Sequence, residues 1–196
     1  MSTFTRRSSR LATWIAVPAA ILAAGLVVST SSYAAFSSSS SNDGDAWRAG
    51  TVRIGDDDTG RALFAAANVK PGDGGTNCIT VTSTGSLASD VRLYAANVGG
   101  SSGLADQLTL KIEQGTGGGF GSCTGFAAQS TLFDGRLSGF TGAATGYASG
   151  LHAWSPTGGG SDARTFRLTW RLVDDAPNSV QGGTASTSFV WEAQNS

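Results

Sequence analysis

The sequence predicts an all-β protein: an antiparallel β-sandwich that follows a cleaved N-terminal signal helix. Three observations predict this: a basic and then apolar N-terminus, six or seven runs of alternating apolar and polar residues, and Gly- or Asp-rich turns between them. No strong amphipathic helix and no repeat of fixed period is visible. A barrel is the alternative, but polar outer faces favour a sandwich that is solvated on its outer sides.

Residues 1–34 are predicted to be a secretory signal peptide. Three Arg precede an uncharged apolar run at 11–28, and a Ser-Tyr-Ala tripeptide ends at Ala34. Cleavage after Ala34 leaves 10 basic and 14 acidic residues, and cleavage after Ala35 is the alternative. A retained membrane anchor is the other interpretation, because 18 apolar residues approach the minimum for a span. We expect a secreted, extracellular or cell-surface protein that contacts the membrane only through its uncleaved signal.

Two segments follow the signal. Residues 35–45 are a Ser-rich run that is predicted to be flexible, since it is too polar to nucleate a core. Residues 46–196 are predicted to form the sandwich, with a Gly-rich insertion at 115–163. The predicted strands are 46–54, 61–69, 77–84, 89–98, 106–114, 164–175 and 184–194, with short pieces at 131–133 and 136–140.

Alternation within these runs predicts which side chains point inward. The first run, 46–54, alternates imperfectly, whereas 106–114 and 164–175 alternate cleanly. The predicted inward residues of the later runs are Ile79, Val81, Val91, Leu93, Leu108, Leu110, Ile112, Phe166, Leu168, Trp170, Leu172, Ala185, Thr187, Phe189 and Trp191.

Composition excludes several classes of protein. The chain has 196 residues, of which 28 are Gly and only 14% are charged, and its 13 basic residues nearly balance its 14 acidic ones. The basic stripe of a nucleic-acid-binding protein is therefore missing. One His and two Cys are too few for a zinc ribbon or a Cys/His cluster, and we expect no cofactor.

Cys78 and Cys123 are predicted to form a disulfide, because export delivers both to an oxidising space. Closing a loop of about 45 residues would stabilise the protein by about 3–4 kcal/mol in the chain-entropy model. The alternatives are two separate buried thiols or a redox-active pair, although neither cysteine lies in a Cys-x-x-Cys motif.

Four motifs in this order resemble those of the TasA/camelysin family of exported bacterial proteins. They are AAFSSSSSN after the signal, AWRAGTVRI, the stretch LFAAANVKPGDGG with its later Gly-Ser-Leu turn, and the closing SFVWEAQN. The motifs span about half of the mature chain, and the Gly-rich centre at 115–163 has no counterpart among them.

The resemblance implies a jelly-roll-like sandwich that is exported through a dedicated signal peptidase. The resemblance also implies one of two functions, because members of the family differ in what they do. TasA-type members form fibres of the biofilm matrix, in which an N-terminal segment of one subunit completes the sheet of the next. Camelysin-type members are described as cell-surface metalloendopeptidases.

The residues themselves do not favour catalysis. A zincin needs two His one helical turn apart with a Glu between them, and this chain has only His152, interpreted as a loop residue. Serine hydrolysis would lack a Gly-x-Ser-x-Gly motif, and a cysteine nucleophile would require breaking the disulfide. We therefore expect no enzyme, and a metalloendopeptidase rests on the resemblance alone.

Two weaker binding sites are considered. Asp56, Asp57 and Asp58 are candidate Ca²⁺ ligands if the fold brings them to Asp174 and Asp175, although a solvated hairpin turn is the simpler interpretation. Trp154 is interpreted as a loop aromatic that could stack on sugars. The other tryptophans of the mature chain lie at strand positions that predict burial in the core: Trp47, Trp170 and Trp191.

We expect a secreted structural protein of the cell surface or matrix. Its expected partners are further copies of itself or related exported matrix proteins, and a signal peptidase during export. Residues 35–45 suit a donor strand with Phe36 as its apolar anchor, although a Ser-rich linker without a role has the same composition. A metalloendopeptidase and a ligand-binding surface module are the alternatives.

Overall fold

The structure is a computed structural model that describes residues 50–64 and 68–196. The predictions for the signal peptide, for cleavage at Ala34 or Ala35, for the Ser-rich segment and for Phe36 lie outside the described residues. Within the described ranges, no helix combines the length and the apolar character that crossing a membrane requires.

The described chain contains eight strands and one α-helix. Short 3₁₀ turns at Leu104–Asp106, Tyr147–Ser149 and Asn178–Val180 connect some of them. The elements are β1 (Ile54–Asp56), β2 (Gly74–Ser83), β3 (Ser89–Gly100), β4 (Leu108–Thr116), β5 (Ala127–Arg136), α1 (Leu137–Ala143), β6 (Leu151–Trp154), β7 (Asp162–Leu172) and β8 (Ala185–Asn195).

The strands form two antiparallel sheets, so the predicted β-sandwich is confirmed. One sheet has five strands in the order β1-β2-β7-β4-β5, and the other has three in the order β6-β3-β8. The chain crosses between the sheets at most of its connections, which wraps both sheets around a shared interior. Because one face of each strand must be buried, the alternation of the sequence sets which residues point into that interior.

Most of the core is built from residues that this alternation predicts to be inward, and Phe140 and Trp154 join it from outside that prediction. Aromatic rings join the two sheets: Phe166 of β7 lies with its centroid 5.9 Å from Trp154 of β6 and 5.2 Å from Trp191 of β8. The largest fully buried side chains include Phe140, Phe166, Ile79, Leu93, Leu110, Ile112, Leu168, Val81 and Val91.

Five local predictions need correction. In the described part of the predicted strand 46–54, residues 50–53 are irregular, and the strand begins only at Ile54. Residues 61–64 are irregular rather than part of a strand, and α1 occupies part of the predicted strand 136–140. The Gly-rich centre, in contrast, contains the full-length strand β5, of which only 131–133 was predicted. His152 and Trp154 lie on β6 rather than in a loop, and Trp154 is a core residue with only 5% of its surface exposed.

Candidate functional site

A groove of about 870 Å³ lies beside β8. Every residue from 182 to 189 lines it. Because alternate side chains of a strand point to opposite faces, such a continuous run means that the backbone edge of β8 faces the groove. In the part of the chain that the structure describes, β8 pairs with β3 alone. Its other edge therefore offers backbone N–H and C=O groups to an entering strand.

The walls of the groove are largely apolar. Leu110, Trp170 and Leu172 face it from the five-stranded sheet. Opposite Trp170 lies Phe64, and the two rings meet edge to face with their centroids 6.5 Å apart. The indole N–H of Trp191, which also lines the groove, is buried without a hydrogen-bond partner among the described residues. The groove thus has a largely apolar lining.

Residues 56–64, here called the wall segment, form one side of the groove mouth. Asp56, Asp58 and residues 61–64 line the groove. The amide of Asp58 donates to Asp56 Oδ1 at 3.4 Å, and the amide of Gly60 donates to Asp58 Oδ1 at 2.6 Å. Burial, together with the hydrogen bond and charge of Asp58, holds the pKa of Asp56 above its ordinary value.

The candidate Ca²⁺ ligands are not brought together. Asp56 pairs with Val81 near the end of β2. Asp174 instead accepts a hydrogen bond from Arg171, which pairs with Gly74 at the start of the same strand. Within residues 50–64 and 68–196, no three His, Cys, Asp or Glu side chains converge on one point.

The carboxylate of Asp57 binds backbone amides of two other segments of the chain. Its Oδ1 accepts the amide of Thr80 on β2, and its Oδ2 accepts the amide of Phe120, each at 2.8 Å. Both oxygens of this carboxylate are therefore occupied by backbone donors, so its function in the fold is to tie two segments together.

Phe120 belongs to a Gly-rich loop at residues 117–126, here called the flap, which covers part of the outer face of the five-stranded sheet. The predicted disulfide is present: Cys123 of the flap is bonded to Cys78 of β2. Two arginines stack on flap aromatics, Arg61 on Phe120 and Arg167 on Phe126, with each guanidinium carbon 4.7 Å from the ring centroid.

A cluster of charged groups lies beside the flap on the same face. Glu113 of β4 accepts a hydrogen bond from Arg167 Nε, and its carboxylate lies 3.0 Å from the ammonium of Lys111. Burial raises the pKa of Glu113, but the hydrogen bonds and charges of Arg167 and Lys111 outweigh burial and leave that pKa below its ordinary value. The cluster is a satisfied ion-pair network.

A second polar cluster joins His152, Ser155 and Asp90. His152 Nε2 lies 3.0 Å from Ser155 Oγ, and Ser155 Oγ donates to Asp90 Oδ1 at 2.5 Å. In a hydrolytic triad the imidazole stands between the hydroxyl and the carboxylate and uses both ring nitrogens. Here one nitrogen faces both groups, since Nε2 is also 3.6 Å from Asp90 Oδ1. The arrangement does not match a triad.

The sequence predicted groove residues such as Leu110, Trp170 and Leu172 to be inward, but it did not indicate that they border an open groove. The wall segment and β8 come from distant parts of the chain, and only the packing of two sheets brings them together. The apolar residues 62–64, which lack a strand partner among the described residues, are the one local sign of this wall in the sequence.

No protein-family profile and no curated protein matches this chain. The resemblance to the TasA/camelysin family therefore rests on the ordered motifs and stays a prediction.

Proposed function

We propose that this protein is a secreted structural component of the cell surface or extracellular matrix that assembles by strand exchange. In this assembly, residues 35–45 of one copy lie in the β8 groove of the next. The observation that carries the proposal is the groove, which offers a strand edge and apolar walls at one place. Main-chain hydrogen bonds give such an addition its affinity, and pockets for alternate side chains give it specificity.

The length of residues 35–45 supports their role as the donor strand. Residues 35–45 and strand β8 each contain 11 residues. At roughly 3.3 Å per residue, each spans about 36 Å when extended. The donor segment is thus long enough to pair along the whole of β8.

The side chains of residues 35–45 also support their role as the donor strand. Phe36 supplies the apolar side chain that walls of Leu and Trp residues would bury. The serines at 37–41 add little bulk, so they suit a position beside another backbone.

Light scattering on two chains tests the proposal. The protein beginning at Ala35 should form higher oligomers as its concentration rises, because each copy carries both donor and groove. The protein beginning at Ala46 should stay monomeric and folded, because it carries the groove only. Circular dichroism of both establishes that the shorter chain folds, and equal association of the two folded proteins would overturn the strand-exchange proposal.

A further inference from the structure

We propose that the Cys78–Cys123 disulfide controls the β8 groove: by holding the flap against the sheet, it fixes the wall segment that forms one side of the groove. The inference rests on the proposed function only in taking the groove as the assembly site. Its structural part, the control of the wall by the disulfide, stands separately.

The first link between flap and wall is made by Asp57 and Arg61. Asp57 lies within the wall segment and accepts the amide of Phe120 from the flap at 2.8 Å. Arg61, which lines the groove, stacks its guanidinium on the ring of the same Phe120 at 4.7 Å. One flap residue therefore contacts the wall through its backbone and through its side chain.

The second link is Asn77, next to Cys78 on β2. Its Oδ1 accepts the amide of Gly121 in the flap at 3.1 Å, while its Nδ2 donates to the carbonyl of Leu63 in the wall at 2.7 Å. Leu63 also lines the groove. A single amide side chain thus bridges flap and wall, one residue from the disulfide.

The flap depends on the disulfide to stay in place. Four of its glycines, Gly117, Gly118, Gly121 and Gly125, have positive φ angles. Glycine loses more conformational freedom on ordering than any other residue, so a glycine-rich loop is costly to fix. A covalent bond at Cys123 removes much of that cost, because the remaining contacts then form within a tethered loop.

The bond forms by thiol–disulfide exchange. The two thiols lose two protons and two electrons, and an external disulfide oxidant takes up the electrons and is reduced to two thiols. Oxidants of this class act outside the cytoplasm, whereas cytoplasmic thiols are kept reduced. The wall segment is therefore fixed only outside the cytoplasm, where the disulfide can form. Because the groove is complete only there, it does not accept a donor strand while the protein is still in the cytoplasm.

Hydrogen–deuterium exchange on the protein beginning at Ala35 tests this control. The oxidised protein is compared with the same protein reduced by a phosphine, and residues 89–96 of the β3–β8 ladder serve as the internal reference. We expect reduction to raise the exchange rate at least tenfold in both the flap and residues 57–64 through local opening, at exchange times too short for the ladder to exchange through global unfolding. Faster exchange in the flap alone would overturn the inference.

Two matched variants keep the test decisive if reduction unfolds the whole chain. Phe120→Ala removes the ring that Arg61 stacks on, while Phe126→Ala removes the flap ring that Arg167 of β7 stacks on. With the disulfide intact in both, Phe120→Ala should raise exchange in residues 57–64 severalfold and Phe126→Ala should not. Equal exchange of the wall in the two variants would contradict the coupling.

Light scattering on the oxidised and reduced proteins separates the inference from the proposed function. We expect reduction to weaken self-association at least tenfold. If the wall loosens on reduction but neither form associates, the proposed function is wrong and the control of the wall stands. If the oxidised protein associates but the wall is unaffected by reduction, the inference is wrong and the proposed function stands.

Discussion

The Nε of Arg167 donates a hydrogen bond to Glu113 Oε2 at 2.8 Å, and Nη2 of the same guanidinium forms an ion pair with that oxygen at 2.7 Å. Glu113 is only 7% exposed, so these contacts replace most of its hydration. Since Arg167 also stacks on Phe126, the pair connects β4, β7 and the flap. Charge-assisted bonds of this kind are about twice as strong as neutral ones.

Glu113→Gln should lower the free energy of unfolding by about 1–3 kcal/mol, because it leaves the guanidinium with a weaker, uncharged acceptor. Urea denaturation at pH 7 measures this loss. Asp174→Asn is the matched control: its carboxylate is 77% exposed beside Arg171. The control should change stability by less than about 0.5 kcal/mol. Equal losses in the two variants would contradict a special role for the buried pair.

The same carboxylate predicts a pH dependence. The pKa of Glu113 is lowered in the folded protein from its ordinary value of 4.5, so ionised Glu113 stabilises the fold at higher pH. This contribution is present above about pH 4.5 and is lost as the pH falls through the folded-state pKa. The stability difference between the natural protein and Glu113→Gln should therefore shrink from pH 7 to pH 3. A difference that stays constant over this range would contradict the prediction.

Removing the disulfide should destabilise the protein by about 3–4 kcal/mol in the chain-entropy model, because the bond closes a loop between residues 45 apart. Thermal denaturation of the Cys78→Ser/Cys123→Ser double variant measures the effect, which should exceed that of any single surface substitution. Mass spectrometry of the unreduced protein collected from the medium checks the premise. A free thiol at either position would contradict it.

The strands that could be predicted are those whose alternation reflects burial on one face. β7 is the clearest case, since Phe166, Leu168 and Leu172 are buried as predicted. β5 was largely missed because residues 127–131 are exposed, and its pairing with β4 is interrupted by two register shifts. A strand held mainly by its neighbour's backbone leaves little trace in its own sequence.

Less of the candidate site than of the fold could be predicted from the sequence. The cysteine count and the predicted export signal together predict the disulfide without any geometry. The bridge from Asn77 to the flap and to Leu63, in contrast, depends on two loops that meet across β2, and nothing in the local sequence of any of them indicates the contact. The same holds for the cluster of Asp90, His152 and Ser155, whose members come from two different strands and a loop.

A charge placed in the groove should block assembly. Thr187→Lys puts an ammonium on the groove side of β8, where burial by an entering strand would be costly. We expect at least tenfold weaker self-association of the protein beginning at Ala35, measured by sedimentation velocity. Gln194→Lys adds the same charge to an exposed position of β8 outside the groove. Similar weakening by both variants would mean that net charge, rather than the groove, controls association.

The central claim is that residues 35–45 of one copy lie in the β8 groove of another. A photoreactive phenylalanine analogue at position 36 tests it most directly, in an equal mixture of isotopically light and heavy protein beginning at Ala35. After irradiation, mass spectrometry should find cross-links that join light to heavy chains at groove residues such as Leu110, Trp170 and Leu172. Cross-links confined to single chains, or between chains but outside the groove, would contradict the account.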